Sequence, residues 1–228
     1  VDSLIRVRVS YVDTLGNTET AYGTTSSLVA SVNDAPTGSP QLTGTFTENQ
    51  TVSVDLSSLH DDDGLPAGES FTYQWQKSLD GGVTWQNVEG ETTDSLFLSD
   101  DVSGVNVRVG VSYTDLQGHS NLVYSPSALT SNINDTPVDF IVTIDGAVQE
   151  ESVLTAVASV TSDEDGLPDP LSFSYQWQIS ADNLTWANIE GATSEQFTPD
   201  DTEASQYLRV EASYLDSKGS VEVTQSTA

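Results

Sequence analysis

Apolar and polar residues alternate along several short stretches of this chain, and the stretches recur in the same order. Leu4 to Tyr11 alternates, Thr14 to Asn17 reads as a turn, and Thr18 to Val32 holds a second extended segment. A further run opens with Leu42 to Thr47, turns back at Glu48-Asn49-Gln50 and returns through Thr51 to Leu56. Phe71 to Lys77 places Phe71, Tyr73 and Trp75 on one face and polar side chains on the other, because strand side chains point alternately to the two faces. Trp85 and Val88 mark another strand and Ser95 to Leu98 one more. Val105 to Tyr113 is the most regular of all. Between these runs lie clusters of Asp, Gly, Pro and Asn, the residues that turns require.

The pattern repeats at a fixed distance. Val32-Asn33-Asp34-Ala35-Pro36 returns as Ile133-Asn134-Asp135-Thr136-Pro137, 101 positions later. Asp61-Asp62-Asp63-Gly64-Leu65-Pro66 returns as Asp163-Glu164-Asp165-Gly166-Leu167-Pro168, 102 positions on, and Phe71, Tyr73, Gln74 and Trp75 as Phe173, Tyr175, Gln176 and Trp177. A period of about 100 is too long for a solenoid and suits autonomous sandwich domains in series. The expected boundaries are 1–33 for the last strands of a preceding repeat, 34–133 for one complete repeat and 134–228 for the next. In each Asn-Asp-x-Pro joint the proline fixes its own φ and biases the residue before it toward extended backbone.

About seven short strands per repeat, with a Trp in the third and a Tyr late in the penultimate one, predict an all-β fold of immunoglobulin-like sandwiches. There is no cysteine, so Trp75 and Trp177 must supply central packing that a disulfide gives antibody domains. Trp85 and Trp186 are also expected in the core, although the loops before them leave room for exposure.

Composition narrows the function. Six basic against 35 acidic residues give a formal charge of −29, which repels nucleic acid and anionic membranes and makes cations the natural partners. The aromatics recur in register, which disordered acidic tails do not do. No apolar run reaches transmembrane length, so direct membrane insertion is not expected. The absence of methionine, even at position 1, fits a segment from the interior of a longer protein. Catalysis has little to rest on: there are two histidines, no cysteine, and neither a nucleophile elbow nor a phosphate-cradling loop, so the chain is not expected to be an enzyme. His60 stands beside the first acidic loop, but its counterpart is Ser162, and it is read as a solvated loop residue.

The acids themselves point to a metal. In a sandwich of alternating strands, the loop after the second strand and the loop before the last both lie at the pole that receives the incoming linker. Asp163, Asp165 and Asp216 should therefore meet Asn134 and Asp135, while Glu48 and one or both of Asp100 and Asp101 approach from the opposite pole of the earlier repeat. Carboxylate and amide oxygens without sulfur or an imidazole cluster are calcium chemistry. At the earlier joint Asn33 and Asp34 should meet Asp61, Asp63 and Asp115, with no glutamate-bearing turn above them, and weaker binding is expected there.

With Asn134-Asp135-Thr136-Pro137, Asp163-Glu164-Asp165-Gly166, Tyr175-Gln176-Trp177-Gln178, Ala192-Thr193 and Ser213-Tyr214-Leu215-Asp216 in place, the chain resembles the tandem immunoglobulin-like or cadherin-like repeats of giant secreted bacterial adhesins. These include the type that ends in calcium-binding glycine-rich repeats. The resemblance covers nearly the whole chain. It implies Ca2+ between domains, an extended array of adjacent repeats, an extracellular or cell-surface location, and a role in cell adhesion or biofilm attachment. The rival expectation is a carbohydrate- or protein-binding sandwich module of a secreted protein, with Trp85, Trp186 or Tyr124 as exposed contacts for a surface or matrix ligand.

Overall fold

The computed structural model describes residues 3–30 and 32–228, and strands dominate throughout. The chain divides into two compact units. One comprises Val1–Phe46, Gln50–Phe97 and Val105–Leu129; the other comprises Thr47–Asn49, Leu98–Gly104 and Thr130–Ala228.

The first unit begins with the antiparallel hairpin β1 (Arg8–Val12) and β2 (Thr18–Tyr22), in which Val12 pairs with Thr18. Asp13 shapes its turn by accepting the backbone N–H groups of Leu15 and Asn17 at 2.8 and 2.9 Å. Every residue of both strands is exposed. Two strands alone cannot bury their apolar faces.

Two antiparallel sheets follow in the same unit. One joins β3 (Gln41–Thr43), β4 (Thr51–Asp55) and β7 (Ser95–Phe97) in the order β3-β4-β7. The other is built on β5 (Thr72–Ser78) and β8 (Asn106–Thr114), flanked by β6 (Gln86–Asn87), β9 (Ser120–Tyr124) and β10 (Ala128–Leu129). Alternation decides what is buried: Val107, Val109, Val111 and Tyr113 of β8 are inside with Trp75, Val52 and Leu96. Trp75 faces Val109 across the ladder and donates its indole N–H to Thr93 O at 3.0 Å, so its one polar atom is satisfied.

The second unit repeats this plan. β11 (Ile141–Asp145), β12 (Leu154–Ser159) and β15 (Gln196–Phe197) form one sheet, and β13 (Ser174–Ser180), β14 (Ala187–Asn188), β16 (Tyr207–Leu215) and β17 (Val221–Gln225) the other. Val142, Leu154 and Ala156 from the first sheet meet Trp177, Leu208, Val210 and Ala212 from the second in one core. This is an all-β sandwich.

Trp85 and Trp186 lie outside the core, contrary to the expectation from sequence. Each is half-buried beneath an arginine guanidinium: Arg108 stands 4.1 Å from the Trp85 ring centroid, and Arg209 stands 4.4 Å from that of Trp186. Both arginines occupy outward positions of β8 and β16, so a cation–π stack takes these indoles instead of the sandwich interior. Arg108 also covers the Tyr124 ring, at 4.1 Å.

The division into units does not follow a cut at residue 133. The turn Thr47–Asn49 and the segment Leu98–Gly104 group with the second unit. Within that unit Glu48 N–H bonds Ser131 O at 2.9 Å, Asn49 N–H bonds Leu98 O at 2.8 Å, and Thr130 Oγ1 bonds Val102 O at 2.6 Å.

Candidate metal centre

The Asp-x-Asp-Gly loops are fixed first by their own hydrogen bonds. In the second unit Asp163 Oδ1 accepts the N–H of Asp165 at 3.0 Å, and its Oδ2 accepts the hydroxyl of buried Tyr214 at 2.5 Å. In the first unit Asp61 Oδ1 accepts the N–H of Asp63 at 2.9 Å, and its Oδ2 accepts the Tyr113 hydroxyl at 2.6 Å. Burial and the neighbouring aspartate raise the pKa of both phenols, which keeps them protonated as donors. Gly64 and Gly166 follow these loops at φ +90° and +89°. A Cβ on Gly64 would lie 2.7 Å from Leu116 Cδ1, so glycine lets each loop close onto the Asp115 or Asp216 turn.

Those turns are also built by carboxylates. Asp216 Oδ1 accepts the N–H groups of Lys218, Gly219 and Ser220 at 2.8, 2.6 and 2.9 Å. Asp115 Oδ1 does the same for Gln117 and His119, at 2.8 and 2.9 Å. Burial of Asp115 pushes its pKa up, but these backbone donors and the Asn121 amide outweigh it and hold the group below the usual aspartate value.

The linker supplies the rest. Asp165 receives two bonds, from Asn132 Nδ2 to Oδ1 at 2.9 Å and from the Asp135 N–H to Oδ2 at 2.8 Å, which bring Asp135 to the loop. Glu48 Oε2 accepts the N–H of Ile133 at 2.9 Å. Within the second unit, Glu48, Asp100, Asp135 and Asp165 each offer a carboxylate oxygen within 4.8 Å of the others; Glu48 and Asp165 are buried and the other two half-buried. Burial raises the pKa of Glu48 to about 7, opposed by the Ile133 N–H and reinforced by the negative charges of Asp100 and Asp135. Among the described residues, the buried side-chain polar atoms with no hydrogen-bond partner are Asp100 Oδ1, Asp135 Oδ2, Asp216 Oδ2 and His119 Nδ1.

The structure divides the thirteen residues expected at the joints. Glu48, Asp100, Asp135 and Asp165 come together; Asp63 and Asp115 form a separate group with His119 in the first unit. There, His119 Nδ1 stands 3.4 Å from Asp115 Oδ2 and 3.8 Å from Asp63 Oδ2. Asp61 and Asp163 stand outside these groups because the tyrosine hydroxyls and loop N–H groups occupy them. Asp101 is exposed, and Asp216 shapes its turn. Asn134 is also exposed and spends its amide on Glu222 Oε1 at 2.7 Å. Asn33 and Asp34 are exposed, and Asp34 reaches the first loop through its backbone N–H, 2.7 Å from Asp63 Oδ2.

Three residues absent from the expected set matter at these turns: His119, Lys218 and Glu222. All three lie in the stretch after the Tyr-x-Asp of the penultimate strand, where Gln117, His119 and Asn121 of one repeat answer to Lys218, Ser220 and Glu222 of the other. Aligning the two turns residue by residue was the available signal.

A family profile for a domain of unknown function, DUF8696, matches residues 145–227, less than half of the chain. No curated protein matches. One similar solved structure is described as a Ca2+-stabilized adhesin that helps an Antarctic bacterium reach out and bind ice. It is 13% identical over 97% of this chain and 55% of that one, at a TM-score of 0.30. The chain thus spans about half the length of that protein, and the functional reading rests on its own side chains. Among the described residues no helix is long and apolar enough to cross a membrane.

Proposed function

We propose that this chain is a non-catalytic extender segment of a large bacterial surface adhesin, made of tandem sandwich repeats whose joints are stiffened by calcium. The observation that carries the reading is the convergence of Glu48, Asp100, Asp135 and Asp165 within 4.8 Å, from three separate segments of one compact unit. Four like charges at that spacing repel unless a cation or protons neutralise them. Two of their oxygens, on Asp100 and Asp135, are buried with no donor. An all-oxygen set with no sulfur or imidazole fits a hard divalent ion, and the carboxylates are the residues that would hold it. Bound calcium would supply the positive charge that lets these segments stay together.

The rival reading, a glycan- or protein-binding module, keeps Tyr124 as an exposed aromatic, while Trp85 and Trp186 are half-buried under arginines. Adhesion, biofilm attachment and a cell-surface location follow from the adhesin reading and stand or fall with it.

Calorimetric titration of the chelator-stripped chain with calcium, paired with small-angle scattering, tests the proposal. Saturable calcium binding is expected, with a scattering profile that sharpens to that of a stiffer particle. Absence of binding at millimolar calcium, or an unchanged profile across saturation, would sink it.

A further inference from the structure

The segment that carries Asp100 is held by more than its carboxylate. Asp100–Val102 is a single 3-10 turn, closed by the Ser103 N–H on Asp100 O at 3.2 Å, and no basic residue stands in its last turn. The missing cation comes from far along the sequence: Lys218 Nζ donates to Asp100 O at 3.0 Å, Ser103 O at 2.8 Å and Ser103 Oγ at 2.9 Å. An ammonium has three donors and all three are used here. A cation at the end of a helical turn also meets the favourable end of its backbone dipoles.

Fully buried Ser103 extends the connection. Its Oγ donates to Asn132 Oδ1 at 2.7 Å, and Asn132 Nδ2 donates to Asp165 Oδ1 at 2.9 Å. Lys218, Ser103, Asn132 and Asp165 thus form one hydrogen-bonded chain beside the carboxylate group, all within the second unit. Like charges on the carboxylates oppose the seating of the Asp100 turn, and the lysine opposes that repulsion through the Asp100 and Ser103 carbonyls and the Ser103 hydroxyl. The corresponding turn of the other repeat carries Gln117, which has no charge to play this part.

We infer that Lys218 is a built-in latch, a positioning residue that keeps the Asp100 turn seated beside Glu48, Asp135 and Asp165 whether or not calcium is bound. The inference rests on the calcium reading only for its second half, because the latch itself is a metal-free property.

Hydrogen exchange on the full chain separates the two. The reporters are the amides of Val102 and Ser103, which donate to Ser99 O at 2.9 Å and Asp100 O at 3.2 Å. In chelator the parent chain should keep these amides protected, and Lys218→Met should exchange them roughly tenfold faster, the loss expected for partly exposed charge-assisted hydrogen bonds. Lys218→Arg, which retains charge and donors, should restore most of the protection. Equal protection in Lys218→Met and the parent in chelator would overturn the latch, as would loss of protection in the parent when calcium is removed. Saturating calcium should then return the protection to Lys218→Met. Failure of that arm alone would overturn the calcium reading of this group and leave the latch standing.

Discussion

Asp135→Asn should make the metal-free protein more stable and should cut the stabilisation it gains from calcium. Its Oδ2 is buried with no hydrogen-bond partner, so the amide forfeits no known bond while removing one of four charges. At the 4.8 Å spacing of the group, two carboxylates repel by ~1 kcal/mol in a water-like medium and by ~3.5 kcal/mol at an effective dielectric of about 20. Asp135 faces three such partners, and Glu48, with a pKa of about 7, is half neutralised near that pH. Taking the water-like value, about 2 kcal/mol of strain is relieved in chelator, which raises the melting temperature of a sandwich this size by roughly 10 °C.

Calcium offsets this gain. At a free concentration of 100 times its dissociation constant, the parent gains about 2.7 kcal/mol, whereas a variant that binds about 100-fold more weakly gains about 0.4 kcal/mol. Hard-cation affinity depends on ligand charge, so a loss of that order is expected. Thermal melts of both proteins, each in chelator and in calcium, measure all four values. A variant that melts below the parent in chelator would refute the repulsion argument, and an unchanged calcium shift would remove Asp135 from the ligand set.

Two further outcomes are expected. The folded chain holds a proton on Glu48 up to about pH 7, whereas the unfolded chain releases it near the ordinary value of 4.5. The stability this raised pKa contributes in chelator is therefore complete below about pH 4.5 and lost as pH rises through about 7, while calcium affinity climbs over the same interval because the metal displaces the proton. Glu48→Gln should flatten both dependences, and pH-resolved melts and calorimetry would show whether it does. Trp177→Ala deletes a fully buried indole and the bond it donates to Ser194 O at 3.0 Å, at a cost of about 3–5 kcal/mol. In chelator it should melt the second sandwich selectively and leave the transition of the first, built on Trp75, in place; parent-like melting would remove Trp177 from the core.

Much of the fold was legible in the sequence because strand period and burial are local signals. Val107, Val109, Val111 and Tyr113 alternate in the sequence and are buried in the structure, and the same pattern recurs in Leu208, Val210, Ala212 and Tyr214. Turn chemistry was equally readable, since Asp and Gly at fixed offsets can close only a few backbone shapes. The acidic loops could thus be placed near the linker from strand direction alone.

What the sequence could not decide was how each oxygen would be used. Asp61 and Asp63 are chemically identical and two residues apart, yet one accepts a tyrosine hydroxyl and the other faces His119. Nor does an indole at position 85 or 186 announce that an arginine from another strand will cover it. Lys218 lies 118 residues from the Asp100 carbonyl it caps. Local propensity sets strands and turns; the choice of partner for a polar atom depends on which distant groups share its few ångströms of space, and only the folded chain brings those together.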